Sequence, residues 1–190
     1  MTVVGVLALQ GAFAEHQAAL AQCGAASVQL RKAADLEQPL DGVVLPGGES
    51  TVIGKLLNDL GMMAPLRRMI ADGLPALGTC AGLILLAHTV DGKPGPWLGT
   101  MPVAARRNAY GRQLGSFTAA APFAGTTVPM EFIRAPYLES LGPGVEALAT
   151  VNGRLVAAQY KNQLAVAFHP ELTADLTVHR RFLGMIKTAR

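Results

Sequence analysis

The run Val3-Val4-Gly5-Val6-Leu7-Ala8-Leu9 has no polar face to turn toward water, so a strand built from residues 3–9 must be covered on both sides. That requirement points to a parallel sheet with helices packed on it, not a sheet with one solvated face. The first half of the chain keeps to this pattern. Residues 12–23 read as a helix stopped by Gly24, residues 27–30 as a short strand, and Gly42–Leu45 as a second buried strand stopped by Pro46-Gly47-Gly48. Residues 51–58 and 64–72 read as helices, punctuated by Gly61 and Gly73. A strand at Pro75-Ala76-Leu77 then enters Gly78-Thr79-Cys80-Ala81-Gly82, followed by the helical apolar run 83–87.

The second half changes character. From about Leu98 to Phe168, short β-like segments alternate with Gly, Pro and Asn; residues 145–151, Arg154–Tyr160 and 164–168 read as strands, with Asn152-Gly153 as a hairpin turn. Residues 175–188 close the chain as a helix. The expectation is one α/β domain over residues 1–190, a three-layer sandwich with a mostly parallel central sheet and added antiparallel strands. With 51% hydrophobic and 15% charged residues the chain can bury a full core, which excludes disorder. No apolar run approaches the ~20 residues that span a bilayer, and the first residues lack a basic leader, so a cytoplasmic protein without membrane partners is expected. A net charge of +3 with few aromatics argues against nucleic acid, and two cysteines give no disulfide framework or metal spacing.

Sites in open parallel sheets form at the C-terminal ends of strands, which singles out four places. The G-x-C-x-G frame around Cys80 is a strand-to-helix elbow that lifts the sulfur clear of the sheet and sets it at a helix N-terminus, where thiolate is favoured. Gly47-Gly48-Glu49-Ser50 follows Gly42–Leu45 and can aim backbone N–H groups at a ligand, with Ser50 also a candidate helix cap. Leu9-Gln10-Gly11 follows the first strand. Phe168-His169-Pro170-Glu171 follows the last, and its two-residue spacing lets the Glu171 carboxylate reach the His169 imidazole. Cys80 as nucleophile, His169 as proton carrier and the N–H groups of Gly48 and Ala81 as oxyanion donors would perform acyl transfer through a thioester. His16, His88 and His179, all in expected helices, read as surface or packing residues.

These motifs resemble those of the class I (triad) glutamine amidotransferases, and more narrowly the glutaminase subunits of pyridoxal 5′-phosphate synthase. The narrower resemblance rests on Val6-Leu7-Ala8-Leu9-Gln10-Gly11 with Glu15-His16, Leu45 to Thr51, Gly78 to Ala87, Arg107-Asn108-Ala109-Tyr110-Gly111-Arg112-Gln113 with Ser116-Phe117, Phe132-Ile133-Arg134-Ala135-Pro136, and Phe168 to Thr173. It implies a flavodoxin-like amidotransferase fold and hydrolysis of L-glutamine to glutamate and ammonia. The ammonia would pass to a TIM-barrel synthase subunit in a hetero-oligomer, and no cofactor or metal is implied. Cys80 would be the nucleophile, His169 the base and Glu171 its orienter. Gln10, Gly48, Glu49, Ser50, Arg107, Ile133 and Arg134 would line the glutamine site. One departure is Ala158-Gln159-Tyr160-Lys161-Asn162, where the family usually carries a basic residue and Gln-Gly. Alternatives are a glutaminase subunit for another synthase, a redox-sensing protein of the same fold, and a cysteine hydrolase of peptides or esters. The resemblance also implies a glutaminase switched on by its partner, and helix 12–23, with Glu15 and His16, is the candidate docking element.

Overall fold

Apolar runs with no polar face do form the middle of the sheet. In the computed structural model, which describes residues 1–95, 97–107 and 115–188, the first strands are β1 (Val3–Leu7), β2 (Ala26–Leu30), β3 (Gly42–Leu45) and β4 (Ala76–Thr79). They are parallel in the order β2-β1-β3-β4. Every residue of β3 and β4 is buried, as a strand covered on both faces requires. The helices of this half are α1 (Phe13–Gln22), α2 (Ser50–Asp59), α3 (Met63–Ala71) and the short α4 (Ala81–Leu86).

The second half adds β5 (Ala87–Val90), β6 (Lys93–Pro94), β7 (Met101–Arg106), β8 (Ser116–Phe123), β9 (Thr126–Ile133), β10 (Tyr137–Leu141), β11 (Glu146–Val151), β12 (Arg154–Tyr160) and β13 (Gln163–Val166). A final helix, α5 (Thr177–Thr188), closes the described chain. β13 returns to the parallel core beside β4, with Val166 opposite Thr79. Beyond it the sheet continues β12-β10-β7-β5-β6, with β11 paired to β12. The described strands therefore comprise a parallel core extended by mainly antiparallel pairing, plus a separate β8–β9 ribbon.

Several local expectations shift. β1 stops at Leu7, because Ala8 N–H closes onto the Leu30 carbonyl and residues 8–11 turn toward α1. The helix after Cys80 ends at Leu86. Ala87 adopts extended backbone and pairs with Met101, so His88 lies exposed on a strand and not in a helix. Ser50 is the first residue of α2 and makes no capping bond; Glu49 holds the cap position. Asp175 precedes α5, and its Oδ1 accepts the Thr177 N–H at 2.8 Å, which is why that helix begins at 177 and not 175. Residues 119–127 lie in the β8–β9 hairpin around Ala124-Gly125 (φ 48° and 88°). Gly125 marks the turn, while Ala124 enters the left-handed region at the position that Asn, Asp or Gly usually fills. Asn152-Gly153 is the expected hairpin, with φ 51° and 72°. At the family departure, Lys161 takes φ 48° in the β12–β13 turn, and the Asn162 amide bonds the Ile70 and Leu74 carbonyls at 2.9 and 2.7 Å.

The β8–β9 ribbon packs over the end of β13 through aromatic rings. Phe117 stacks on Phe132 with centroids 4.5 Å apart, and Phe132 and Phe123 meet Phe168 edge-on at 5.8 and 6.3 Å. The His169 N–H bonds the Glu131 carbonyl at 2.8 Å, fixing the ribbon beside the strand end.

Candidate active site

β3, β4 and β13 are adjacent, so the loops leaving their C-terminal ends converge. Leu45 sits opposite Gly78 and Val166 opposite Thr79; this register brings Gly47-Gly48, Cys80 and His169 together from three remote stretches of sequence.

Cys80 forms the sharp corner expected of its frame, with φ 48° and ψ −99°. Such a conformation costs a non-glycine residue about 1–3 kcal/mol and persists only where its surroundings enforce it. The Cys80 N–H is tied to the Val166 carbonyl at 2.8 Å, and α4 begins at the next residue. The flanking glycines serve close approach. A Cβ at Gly82 would collide with the Leu45 carbonyl oxygen, and one at Gly78 would lie 2.6 Å from the Gly82 backbone. Gly47 serves similarly, since a Cβ there would strike the His169 ring.

His169 Nδ1 lies 2.7 Å from Glu171 Oε1, and both residues are buried. Burial disfavours the imidazolium, but hydrogen bonds to Cys80 and Glu171 and the charges of both outweigh it. His169 is thereby pushed up to about 10 and stays cationic at neutral pH. Cys80 Sγ also lies 4.0 Å from the Ile133 carbonyl oxygen, so the ribbon forms one wall around the sulfur. The second cysteine, Cys23, is half-buried at the end of α1, and burial pushes its thiol up.

A cavity of about 460 Å³ opens over the sulfur, lined by Gln10, Gly48, Glu49, Ser50, Thr51, Cys80, Ile84, Arg107, Ile133, Arg134 and His169. Of the residues given a catalytic, oxyanion or glutamine-binding role from the sequence, Glu171 and Ala81 do not line it. Glu171 lies behind His169, and Ala81 is buried at the start of α4. Gln10 Oε1 accepts the Glu49 N–H at 2.7 Å, linking the first strand end to the glycine loop. The two arginines differ. Arg107 is committed to Asp91 (Nε to Oδ2, 2.7 Å) and reaches Thr51 at 3.3 Å. Arg134 has φ 44°, and among the described residues no carboxylate pairs with it. Asn108-Ala109-Tyr110-Gly111-Arg112-Gln113, part of the string that carried the narrower resemblance, lies outside the described residues.

Two histidines contribute where none was expected. His16 and His179, read as surface or packing residues, are wholly buried, with His16 Nδ1 3.0 Å from His179 Nε2. On α1 only Glu15 of the candidate docking pair is exposed, so a partner cannot touch His16. Helical spacing carried this signal: His16 shares a face with buried Ala19 and Leu20, and His179 with Phe182, Leu183 and Ile186. Burial, then repulsion from His179 when that ring is protonated and from His169, holds His16 well below its ordinary value, and burial lowers His179 to about 4. Both are neutral when folded and take up protons once unfolded. The stability they contribute is present above about pH 6.5 and lost as pH falls below it, for His179 down to about 4. A thermal melt series from pH 7 to 5 should show Tm dropping, each histidine adding a slope of up to about 1.4 kcal/mol per pH unit. His179→Gln should flatten the drop; an unchanged slope would contradict this account.

A model of the SNO glutamine amidotransferase family matches residues 6–188. The chain is 54% identical over 188 residues, 97% of each chain, to proteins of Streptococcus pneumoniae strains ATCC 700669 and D39 named pyridoxal 5′-phosphate synthase subunit PdxT. A crystal structure of a glutamine amidotransferase superposes with TM-score 0.92 at 43% identity, covering 97% of this chain and 98% of its own. A glutamine amidotransferase from Thermotoga maritima shares the fold with TM-score 0.64 at 15% identity, over 98% of this chain and 83% of its own.

Proposed function

The chain belongs to the SNO glutamine amidotransferase family and hydrolyses L-glutamine to glutamate and ammonia in the service of vitamin B6 synthesis; we propose that Cys80, His169 and Glu171 carry that hydrolysis. The observation that supports this most is one alignment at one cavity: a cysteine on a strained elbow shares the cavity wall with an imidazole that a buried carboxylate holds at 2.7 Å.

The steps follow from those atoms. Glutamine enters the cavity with its side-chain amide over Cys80. The sulfur, as thiolate with His169 as its imidazolium partner, attacks the amide carbonyl. The oxygen of the tetrahedral intermediate takes the negative charge, and the backbone N–H groups of Gly48 and Ala81 receive it. Ala81 suits this role because the Cys80 N–H is already spent on Val166. His169 gives its proton to the departing nitrogen, the C–N bond breaks, and ammonia leaves a γ-glutamyl thioester. Neutral His169 then takes a proton from water, whose hydroxyl attacks the thioester. Glutamate departs, and Cys80 and His169 return to their charged pair. Glu171 keeps the ring in one tautomer and stabilises its cation throughout.

Arg134, Glu49, Ser50, Gln10 and Ile133, with Arg107 behind them, hold the amino acid. A zwitterion needs a cation for its carboxylate, and the uncommitted Arg134 meets that need better than Arg107, already paired with Asp91. Arg134→Ala should raise the glutamine KM about 10- to 100-fold with a smaller change in kcat, and Arg107→Ala should raise it less. Equal effects, or a loss confined to kcat in both, would contradict this division.

All 190 residues act as a single glutaminase domain, and the ammonia passes to a TIM-barrel synthase subunit in a hetero-oligomer that builds pyridoxal 5′-phosphate. Gating by that partner has a physical basis. The Gly47 carbonyl is held by a long 3.3 Å bond from the Ala12 N–H, and a diglycine peptide turns at little cost. A partner that binds only the competent loop shifts the equilibrium toward it. Steady-state ammonia release from L-glutamine, measured with the chain alone and with its synthase, tests the reading. Release that rises on adding the synthase is expected; no release in either case would overturn it, and full release without the synthase would remove the gate.

A further inference from the structure

Two buried histidines stand behind Glu171, and the hydrolysis just described does not use them. His16 on α1 has its Nε2 3.4 Å from Glu171 Oε2 and 3.2 Å from Thr79 Oγ1. Its Nδ1 is 3.0 Å from Nε2 of His179 on α5. Glu171 spends Oε1 on His169, while Oε2 is buried with no aligned hydrogen-bond donor among the described residues. His179 Nδ1 is likewise buried without a partner.

Proton counting decides between two arrangements. Each ring is neutral, so each has one N–H, and one proton lies between the paired nitrogens. If His16 Nδ1 owned that proton, its bare Nε2 lone pair would face the Glu171 carboxylate. His179 would then carry its own N–H on Nδ1, a buried donor with no acceptor. If His179 Nε2 owns it, His16 carries its N–H on Nε2, between Thr79 Oγ1 and Glu171 Oε2. Only an acceptor, His179 Nδ1, is then left alone, and buried unpaired donors are the rarer and costlier case.

We propose that His16 is a positioning residue of the hydrolytic site: His179 fixes its Nε2–H tautomer, and that N–H, shared with Thr79, faces Glu171 Oε2 and keeps the carboxylate seated against His169. The line runs from Cys80 through His169 and Glu171 to His16 and His179, and ties α1 and α5 to the cavity. The titratable groups facing His16 are His179 from α5 and Glu171 and His169 from the turn after β13; Asp175 faces His179.

The proposal rests on the triad reading above, and its test separates the two. Ring-nitrogen NMR of the unsubstituted chain reads the tautomers without needing activity: His16 is expected protonated on Nε2 and bare on Nδ1, and the reverse overturns the proposal. In the chain with its synthase, His16→Leu should lower kcat/KM about tenfold or more. It should also move the alkaline limb of the pH profile, where His169 loses its proton, to lower pH. His16→Gln, whose amide nitrogen can occupy the Nε2 position, should restore both. A His16→Leu loss with the limb unmoved is the mark of packing alone and overturns the proposal. If that variant does not fold, the His16→Gln profile and the nitrogen spectra still decide it. Failure of the triad reading shows instead as ammonia release that survives loss of Cys80.

Discussion

Cys80→Ala should reduce ammonia release from L-glutamine by about 10⁴-fold or more while the protein stays folded, as far-UV and near-UV dichroism would register. The size of the loss follows from the chemistry. Without sulfur there is no thioester, and among the described residues the other hydroxyls lining the cavity, Ser50 and Thr51, lack the strained elbow and the imidazole that activate Cys80. The fold should survive because backbone contacts hold the elbow: the Cys80 N–H to the Val166 carbonyl, and the glycine approaches of α4 to β3 and β4. Alanine meets the same steric cost at φ 48° as cysteine does, so the substitution adds little strain. Residual turnover near the unsubstituted rate would remove Cys80 from the reaction.

His169→Asn should be nearly as damaging, since the group that protonates the leaving ammonia and deprotonates the water is gone. Glu171→Gln should cost less, about 10²–10⁴-fold, because the imidazole remains but loses its anion. His169 sits at about 10 because hydrogen bonds and charges from Cys80 and Glu171 exceed the penalty of burial. Removing the Glu171 charge lowers it, so the alkaline limb of kcat/KM moves to lower pH. The same raised value means that the stability His169 contributes is present below about 6.5 and is lost as pH rises toward 10. Kinetics in which His169→Asn keeps near-normal turnover, or Glu171→Gln leaves the alkaline limb unmoved, would contradict the triad.

Much of this site could be read from the chain because its parts are local signals repeated at strand ends. Gly42–Leu45 followed by Pro-Gly-Gly, and the G-x-C-x-G corner, each announce a strand that stops abruptly, and in a parallel sheet such stops face one another. His169 and Glu171 were legible as a pair from their two-residue spacing, although a short 3₁₀ turn at Pro170–Leu172, not extended chain, brings them together. The β8–β9 ribbon was not legible, since Gly125 marks its turn but Ala124 stands where Asn, Asp or Gly usually precedes that glycine. It brings Ile133 and Arg134 over the cavity, so their place in the site came from resemblance and not from pattern. Burial of His16 and His179 depends on α1 and α5 meeting, a tertiary contact that helical period alone suggests but does not assign. Arg107 carried the same ambiguity until Asp91, remote in sequence, proved to anchor it.

Mapping where an electrophilic glutamine analogue attaches tests whether Cys80 forms the thioester. The chain and its synthase are incubated with the analogue, digested, and the modified peptide is identified by mass. The account predicts one adduct per chain on Cys80, lost in His169→Asn or strongly slowed, with Cys23, whose thiol burial pushes up, unmodified. An adduct on Cys23 with Cys80 untouched would contradict it.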